Sequence, residues 1–293
     1  MFAGFERKQL ETARGTVCAQ VGGSGPPLLL LHGYPQTSLM WRDAGPLMAS
    51  QFTVVAADLP GYGDSFRPTP TEDHSAHSKR AMAADLVAAM AALGHERFAV
   101  AGHDRGARVG YRMALDQPDH VERLAVMDIV PTAEVWRRMD GVSALLYWHW
   151  PFLAQPAPLP ERLILAGADD FVDDHLAQIG LGVAPGRYPH EVMDVYRNQL
   201  RDPGTVQAIC EDYRAGAGID LEHDEAGGTI NCPVLALWAA RGALPVFYGD
   251  VLEVWRPWAP DLRGHAIDAT HFLIEDQPEQ VAEALTGFFG SQP

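Results

Sequence analysis

Cysteine is nearly missing from this chain: its 293 residues include three. Cys18, Cys210 and Cys232 are odd in number and scattered, so they supply neither a disulfide framework nor metal-ligand spacing. They read as core thiols in a reducing cytosol. Long apolar runs are missing too, since none approaches the roughly 20 residues that a membrane span requires. The start, MFAGFERKQLETARG, carries charges where a secretory leader needs its apolar stretch. These two absences point to a cytoplasmic protein with no membrane partner. Cations are scarce, with 22 Lys and Arg against 38 Asp and Glu and a formal net charge of −16. That balance argues against a nucleic-acid or anionic-membrane surface. It leaves open an anionic small molecule, provided that a local pocket is basic. There is no internal repeat or low-complexity tract.

What is present is a series of short apolar runs: PPLLLLHG, FTVVAADLP, RFAVAGHD, RLAVMDIV and CPVLALWAA. Helical patterns such as KRAMAADLVAAMAALG and ARVGYRMALDQ separate them, and PEQVAEALTGFFG closes the chain as an amphipathic helix with Pro278 in its first turn. Runs of this kind predict an α/β fold, a mostly parallel, doubly wound sheet flanked by helices. Catalytic groups in such sheets collect at the carboxyl ends of the strands. From Pro131 to about Gly228 the alternation stops, and the chain becomes rich in proline, tryptophan and tyrosine and mainly helical in pattern. Strand-like runs resume at Cys232. The expected organisation is a core of residues 1–130 and 229–293, with residues 131–228 as a helical cap inserted after the strand that ends at Asp128.

The stretch VAGHDRGARVG reads as a buried strand, a tight turn and a helix start. Gly102 and Gly106 stand two before and two after Asp104, the small residues that a nucleophile elbow needs, with aspartate where such elbows normally carry serine. LLLLHGYPQTSLMWR places Tyr34 at the end of an early strand, so its backbone N–H and that of Arg105 form a candidate oxyanion hole. IDATHFLIEDQPEQV supplies His271 as a base in a loop before the last helix. LWAARGALP has no carboxylate at its strand end, whereas LAVMDIVP offers Asp128 as the acid that orients His271. His32 is expected to hold the oxyanion loop. His103, next to the nucleophile in the strand, is expected to point the other way and to serve packing.

With these residues in place, the chain resembles the α/β-hydrolase family and, within it, the haloacetate (fluoroacetate) dehalogenases. LLHGYPQTSLMWR, ADLPGYGDS, AGHDRGARVGYRMALDQPD, MDIVPT, YWHW, LEVWRPWA and DATHFLIEDQPE carry the resemblance. Asp-Arg-Gly-x-Arg at the elbow is its most specific part, because haloalkane dehalogenases and epoxide hydrolases generally have Asp-Trp there. An ionised carboxylate attacks saturated carbon and forms an ester with the enzyme, which His271 and water then hydrolyse. Arg105 and Arg108 lie three apart at a helix start and so face one space, where guanidinium groups can grip a substrate carboxylate. The resemblance implies that His149, Trp150 and Tyr213 hold the departing halide, with Tyr147 a competitor for the tyrosine role. It implies a small haloacid substrate, no cofactor, no metal and a homodimer. Ala107 in place of the more common glycine, and Pro151 after the His-Trp pair, depart from the family pattern and bear on pocket shape. An epoxide hydrolase is the rival enzyme, although the two arginines have no role with a neutral epoxide. A non-catalytic ligand receptor on the same fold is the rival from outside enzymology.

Overall fold

The computed structural model describes residues 2–179 and 188–290. Eight strands form one sheet in the order β1-β2-β4-β3-β5-β6-β7-β8. They are β1 (Glu6–Glu11), β2 (Thr16–Gly23), β3 (Pro27–Leu31), β4 (Thr53–Ala57), β5 (Phe98–His103), β6 (Val121–Met127), β7 (Val234–Ala239) and β8 (Leu262–Ile267). β2 pairs antiparallel with β1 and with β4, and the other neighbours are parallel. The five apolar runs are β3 to β7. They lack polar alternation because both faces of the sheet are covered. Leu29, Leu31, Val55, Val100, Leu124 and Val126 enter one apolar cluster. Their neighbours Leu28, Leu30, Val54, Ala99, Ala125 and Met127 enter the other, as the two-residue period of a strand requires. β1 and β8, at the two edges, are largely exposed.

The topology sets the site. Parallel order brings the ends of β3, β5, β6 and β7 to one edge, so Tyr34, Asp104, Asp128 and Gly242 follow adjacent strands. His271 comes in from the loop after β8. Among the described residues, the segment between β6 and β7 contains eight helices and no strand. Residues 180–187, within the range expected for the cap, lie outside the described residues.

Candidate active site

Asp104 sits between β5 and the Arg105–Asp116 helix with φ 45° and ψ −116°, a conformation that L-residues rarely adopt. The turn can form because its glycines leave room. A Cβ on Gly106 would lie 2.4 Å from the His32 carbonyl oxygen, and one on Gly102 2.6 Å from the Ala107 backbone. A Cβ on Gly33 would lie 2.7 Å from the Asp104 Cβ. The Tyr34 N–H donates to Asp104 Oδ1 at 3.0 Å. The Arg105 N–H opens the helix, where no preceding turn supplies a carbonyl. The Tyr34 loop is fastened by His32, whose Nε2 accepts from the Leu59 N–H at 3.0 Å, leaving Nδ1–H to donate to the Gly33 carbonyl at 2.9 Å.

Asp128, at φ 50°, directly follows β6. Its Oδ1 accepts from the Ala239 N–H at 2.9 Å, and its Oδ2 lies 2.6 Å from His271 Nδ1. The acid is therefore fixed by the end of β7, and His271 Nε2 is the ring nitrogen left for other work. Burial opposes a charge on His271, but the hydrogen bond and charge of Asp128, then the charge of Asp104, raise its pKa above the ordinary value. Burial would raise the Asp104 carboxyl, yet His271, Arg105 and Arg108 outweigh it and hold the group below the usual carboxylate range. Asp104 is thus an ionised carboxylate held in a positive field.

The two arginines are anchored differently. Arg108 Nη1 donates to the Val130 carbonyl at 3.0 Å and to Thr132 Oγ1 at 3.1 Å. Arg105 is fully buried, and Asp212 binds it three times: Nε to Oδ2 at 2.9 Å, and Nη2 to Oδ1 at 2.7 Å and to the carbonyl at 2.9 Å. Arg105 Nη1 has no hydrogen-bond partner among the described residues. Trp150 stands beside both guanidinium groups, 4.6 Å from that of Arg108 and 5.6 Å from that of Arg105. Tyr213 lies under Arg105 at 4.1 Å.

A cavity of about 220 Å³ is lined by Asp104, Arg108, Asp128, His149, Trp150 and His271. Tyr147 also lines it, together with Leu146, Leu244 and Val246, whereas Arg105 and Tyr213 do not. Tyr213 instead packs edge-on against Tyr34, His149 and Trp150. Away from the strand ends, Cys18, Asp58 and Asp64 converge within 4.8 Å. Their ligand atoms are already engaged, Asp58 by the Ser38 and Asp64 N–H groups and Cys18 by Arg7.

A family profile described as alpha/beta hydrolase fold matches residues 26–278. The chain belongs to the α/β-hydrolase fold family. It is 44% identical over 98% of its length to fluoroacetate dehalogenase from Burkholderia sp, of which the match covers 95%. It is 32% identical to soluble epoxide hydrolase from Corynebacterium sp. (strain C12), with 91% of each chain covered. A solved candidate alpha/beta hydrolase from Nostoc sp. PCC 7120 matches at TM-score 0.96 and 44% identity, with each chain covered in full.

Two residues of this α/β hydrolase go beyond the sequence reading, and a third refines it. His103 is buried and absent from the cavity lining, as a packing residue is, but what it packs on is the site's histidine: its ring centroid is 4.6 Å from that of His271, and its Nε2 hydrogen-bonds the His271 carbonyl at 2.8 Å. Burial pushes its pKa down to about 3, so Nε2 carries the proton and donates. Asp212 was missed although it adjoins Tyr213. Besides Arg105 it binds Lys79 Nζ and the Tyr62 hydroxyl, the latter at 2.7 Å. Burial would raise its carboxyl, but Arg105 and Lys79 hold it below the usual range. His175 was missed as well: it is fully buried, its ring 4.7 Å from His149 and 4.9 Å from Tyr34.

Proposed function

We propose that this hydrolase converts a short 2-haloacid, a haloacetate in the first instance, to the hydroxy acid and halide through an ester on Asp104. The observation that carries this reading is the ionised Asp104 carboxylate on the elbow with Arg105 and Arg108 beside it. A serine elbow serves acyl carbon, whereas a carboxylate serves displacement at saturated carbon. Two guanidinium groups answer the repulsion that an anionic substrate would otherwise meet. The likeness to the Burkholderia fluoroacetate dehalogenase supports the same substrate class.

The substrate carboxylate binds Arg108 on the cavity lining, with the unpaired Nη1 of the buried Arg105 behind it, and so presents its α-carbon to Asp104. An Asp104 oxygen attacks that carbon. The carbon–halogen bond breaks, and the halide leaves with the bonding electrons toward His149, Trp150 and Tyr213, which present N–H and O–H donors. In the second step His271 Nε2 takes a proton from water, and the hydroxide attacks the carbonyl carbon of the Asp104 ester. The oxyanion forms on the oxygen that Tyr34 N–H already holds, with Arg105 N–H as its companion. The acyl C–O bond then breaks, the departing alkoxide takes the proton from His271, and the Asp104 carboxyl left behind passes the water's second proton by way of His271 to solvent and is ionised again. Asp128 holds His271 in the required tautomer throughout. Residues 131–228 act as the cap that brings the halide donors over the core.

Turnover of chloroacetate and fluoroacetate in ¹⁸O-water under single-turnover conditions, followed by mass analysis of the Asp104 peptide, tests the mechanism. Label in Asp104 together with halide release is the expected result. Label only in the hydroxy acid rules out the ester. Turnover of epoxides but of no haloacid transfers the chain to the epoxide hydrolases, and binding without turnover makes it a receptor. We place the enzyme in the cytoplasm as a homodimer. Three free thiols support the first, and exposed Val142 and Leu145 support an apolar association surface for the second. Sedimentation at micromolar concentration checks the dimer.

A further inference from the structure

His175 has no part in the chemistry just described, and its surroundings do not suit a histidine used as filler. It lies in the Ala168–Ile179 helix with a relative exposure of 0%. Both of its ring nitrogens lack a hydrogen-bond partner among the described residues. Its neighbours are rings: Phe171 stacked at 6.3 Å, Trp148 at 6.1 Å, Tyr34 at 4.9 Å and His149 at 4.7 Å. A phenylalanine would fill this space without leaving polar atoms unpaired, and burying such atoms costs stability. The polar ends of its neighbours are in the same condition: Tyr34 Oη and His149 Nδ1 are buried without partners among the described residues. His175 does not itself line the cavity, but an unpaired imidazole against His149, which does, and against the tyrosine whose N–H holds the nucleophile, adjoins the reacting end of the site. Its protonation state responds to Asp104 and His271, and burial pushes its pKa down to about 3, so it is a neutral imidazole with one N–H to give.

We propose that His175 is a specificity-determining residue of the halide end of the active site, its N–H joining that of His149 on the departing halide. This rests on the dehalogenase reading. Fluoride concentrates its charge in the smallest radius and is the strongest acceptor among the halides, so it gains most from one more donor. Chloride spreads its charge and leaves readily without it. His175 therefore acts on which halogen the enzyme removes more than on whether it works.

Replacing His175→Phe keeps the ring packing and removes the N–H, His175→Leu removes the N–H from a different shape, and His175→Gln keeps an N–H. Halide release in the first turnover is measured for fluoroacetate and chloroacetate. With Phe or Leu the fluoride rate falls roughly 10- to 100-fold, the worth of a hydrogen bond to a charged group, while the chloride rate changes by about threefold or less. Gln returns the fluoride-to-chloride ratio to within about threefold of wild type, and Phe melts at or above the wild-type temperature. A fluoride-to-chloride ratio unchanged in whichever of the Phe and Leu variants folds overturns the assignment while leaving the dehalogenase reading intact. A wild-type enzyme that releases neither halide overturns the dehalogenase reading, and the role of His175 with it.

Discussion

Replacing Asp212→Asn puts the buried charge network behind Arg105 to the test. The change keeps the shape of the side chain and removes the single negative charge shared by Arg105 and Lys79. Both cations are essentially inaccessible, with side-chain exposures of 1% and 2%. Lys79 keeps Asp220 at 3.1 Å, but Arg105 loses its carboxylate partner altogether. Removing one member of a buried ion pair costs roughly 3–5 kcal/mol. For a chain of this size each kcal/mol moves the melting temperature by about 2–4 °C, so a fall of roughly 6–20 °C is expected. The carboxyl pKa is depressed in the fold, so its contribution is complete above the unfolded value near ~3.9 and is lost only as pH falls below it. Scans at pH 7 and pH 5 should therefore show the same loss from this group. Function separates the network from mere stability. With Arg105 free to turn, KM for chloroacetate should rise about tenfold, equivalent to roughly one charge-assisted hydrogen bond. Hydrolysis of a preformed Asp104 ester should be unchanged, because the His271–Asp128 pair shares no partner with Asp212. Adding Lys79→Met should recover neither the melting temperature nor the KM, because Lys79 still holds Asp220 and its loss leaves that buried carboxylate without its cation. Calorimetry and initial rates of halide release decide the matter. An Asp212→Asn enzyme with unaltered melting and unaltered KM would refute the argument.

Replacing His271→Ala should leave displacement intact and stop hydrolysis, so one equivalent of halide is released and intact-protein mass shows one added carboxymethyl group. Release of halide over many turnovers would count against His271 as the base. Acid stability should follow His77, His103 and His175, which are buried and titrate at about 4, about 3 and about 3 in the fold. The unfolded chain takes up these protons first, so their contribution is complete above about 6.5 and falls by up to roughly 4 kcal/mol per pH unit once the solution is well below it. His271, raised in the fold, opposes this in part, because its contribution is greatest at low pH and is lost as pH rises through its folded pKa. Urea midpoints that do not move between pH 7.5 and pH 5 would contradict this. Replacing Asp104→Asn should lower the pKa of His271 as read by NMR, since the Asp104 charge is one of the groups that raise it; an unchanged or raised value would remove the coupling.

The central strands were legible because each is buried on both faces and so spells a continuous apolar run. β1 and β8 were not, because ERKQLE is almost wholly polar and LRGHAI is broken by polar residues, as exposed edge strands allow. Asp104, Asp128 and His271 could be located because each follows a strand or precedes a helix, and sequence marks such junctions well. Strand alternation also bears on His103: Val100 faces one apolar cluster and Ala101 the other. What alternation cannot give is that the His271 loop reaches the His103 ring and offers it a carbonyl. Asp212 escaped for a related reason. It directly precedes Tyr213, but its partners Arg105 and Lys79 are 107 and 133 positions away. Partners that far apart in the chain leave no local pattern.

Asp104 and Asp212 show why two buried carboxylates in one site can have opposite uses. Asp212 is saturated by Arg105, Lys79 and Tyr62, so it holds a guanidinium in place and has nothing left to give a substrate. Asp104 is kept ionised by charges around it, with the Tyr34 N–H on one oxygen and the other oxygen left to attack. Its charge also helps, after the hydrogen bond and charge of Asp128, to raise the pKa of His271. A protonated histidine cannot activate water, and while Asp104 is a nucleophile there is no ester to hydrolyse. In the proposed mechanism alkylation turns Asp104 into a neutral ester and removes that charge. The pKa of His271 then falls, which favours its neutral, basic form at the step that needs it. Asp128 limits how far the value drops, because its hydrogen bond to Nδ1 remains. The order of the two steps is thus written into the electrostatics of one elbow.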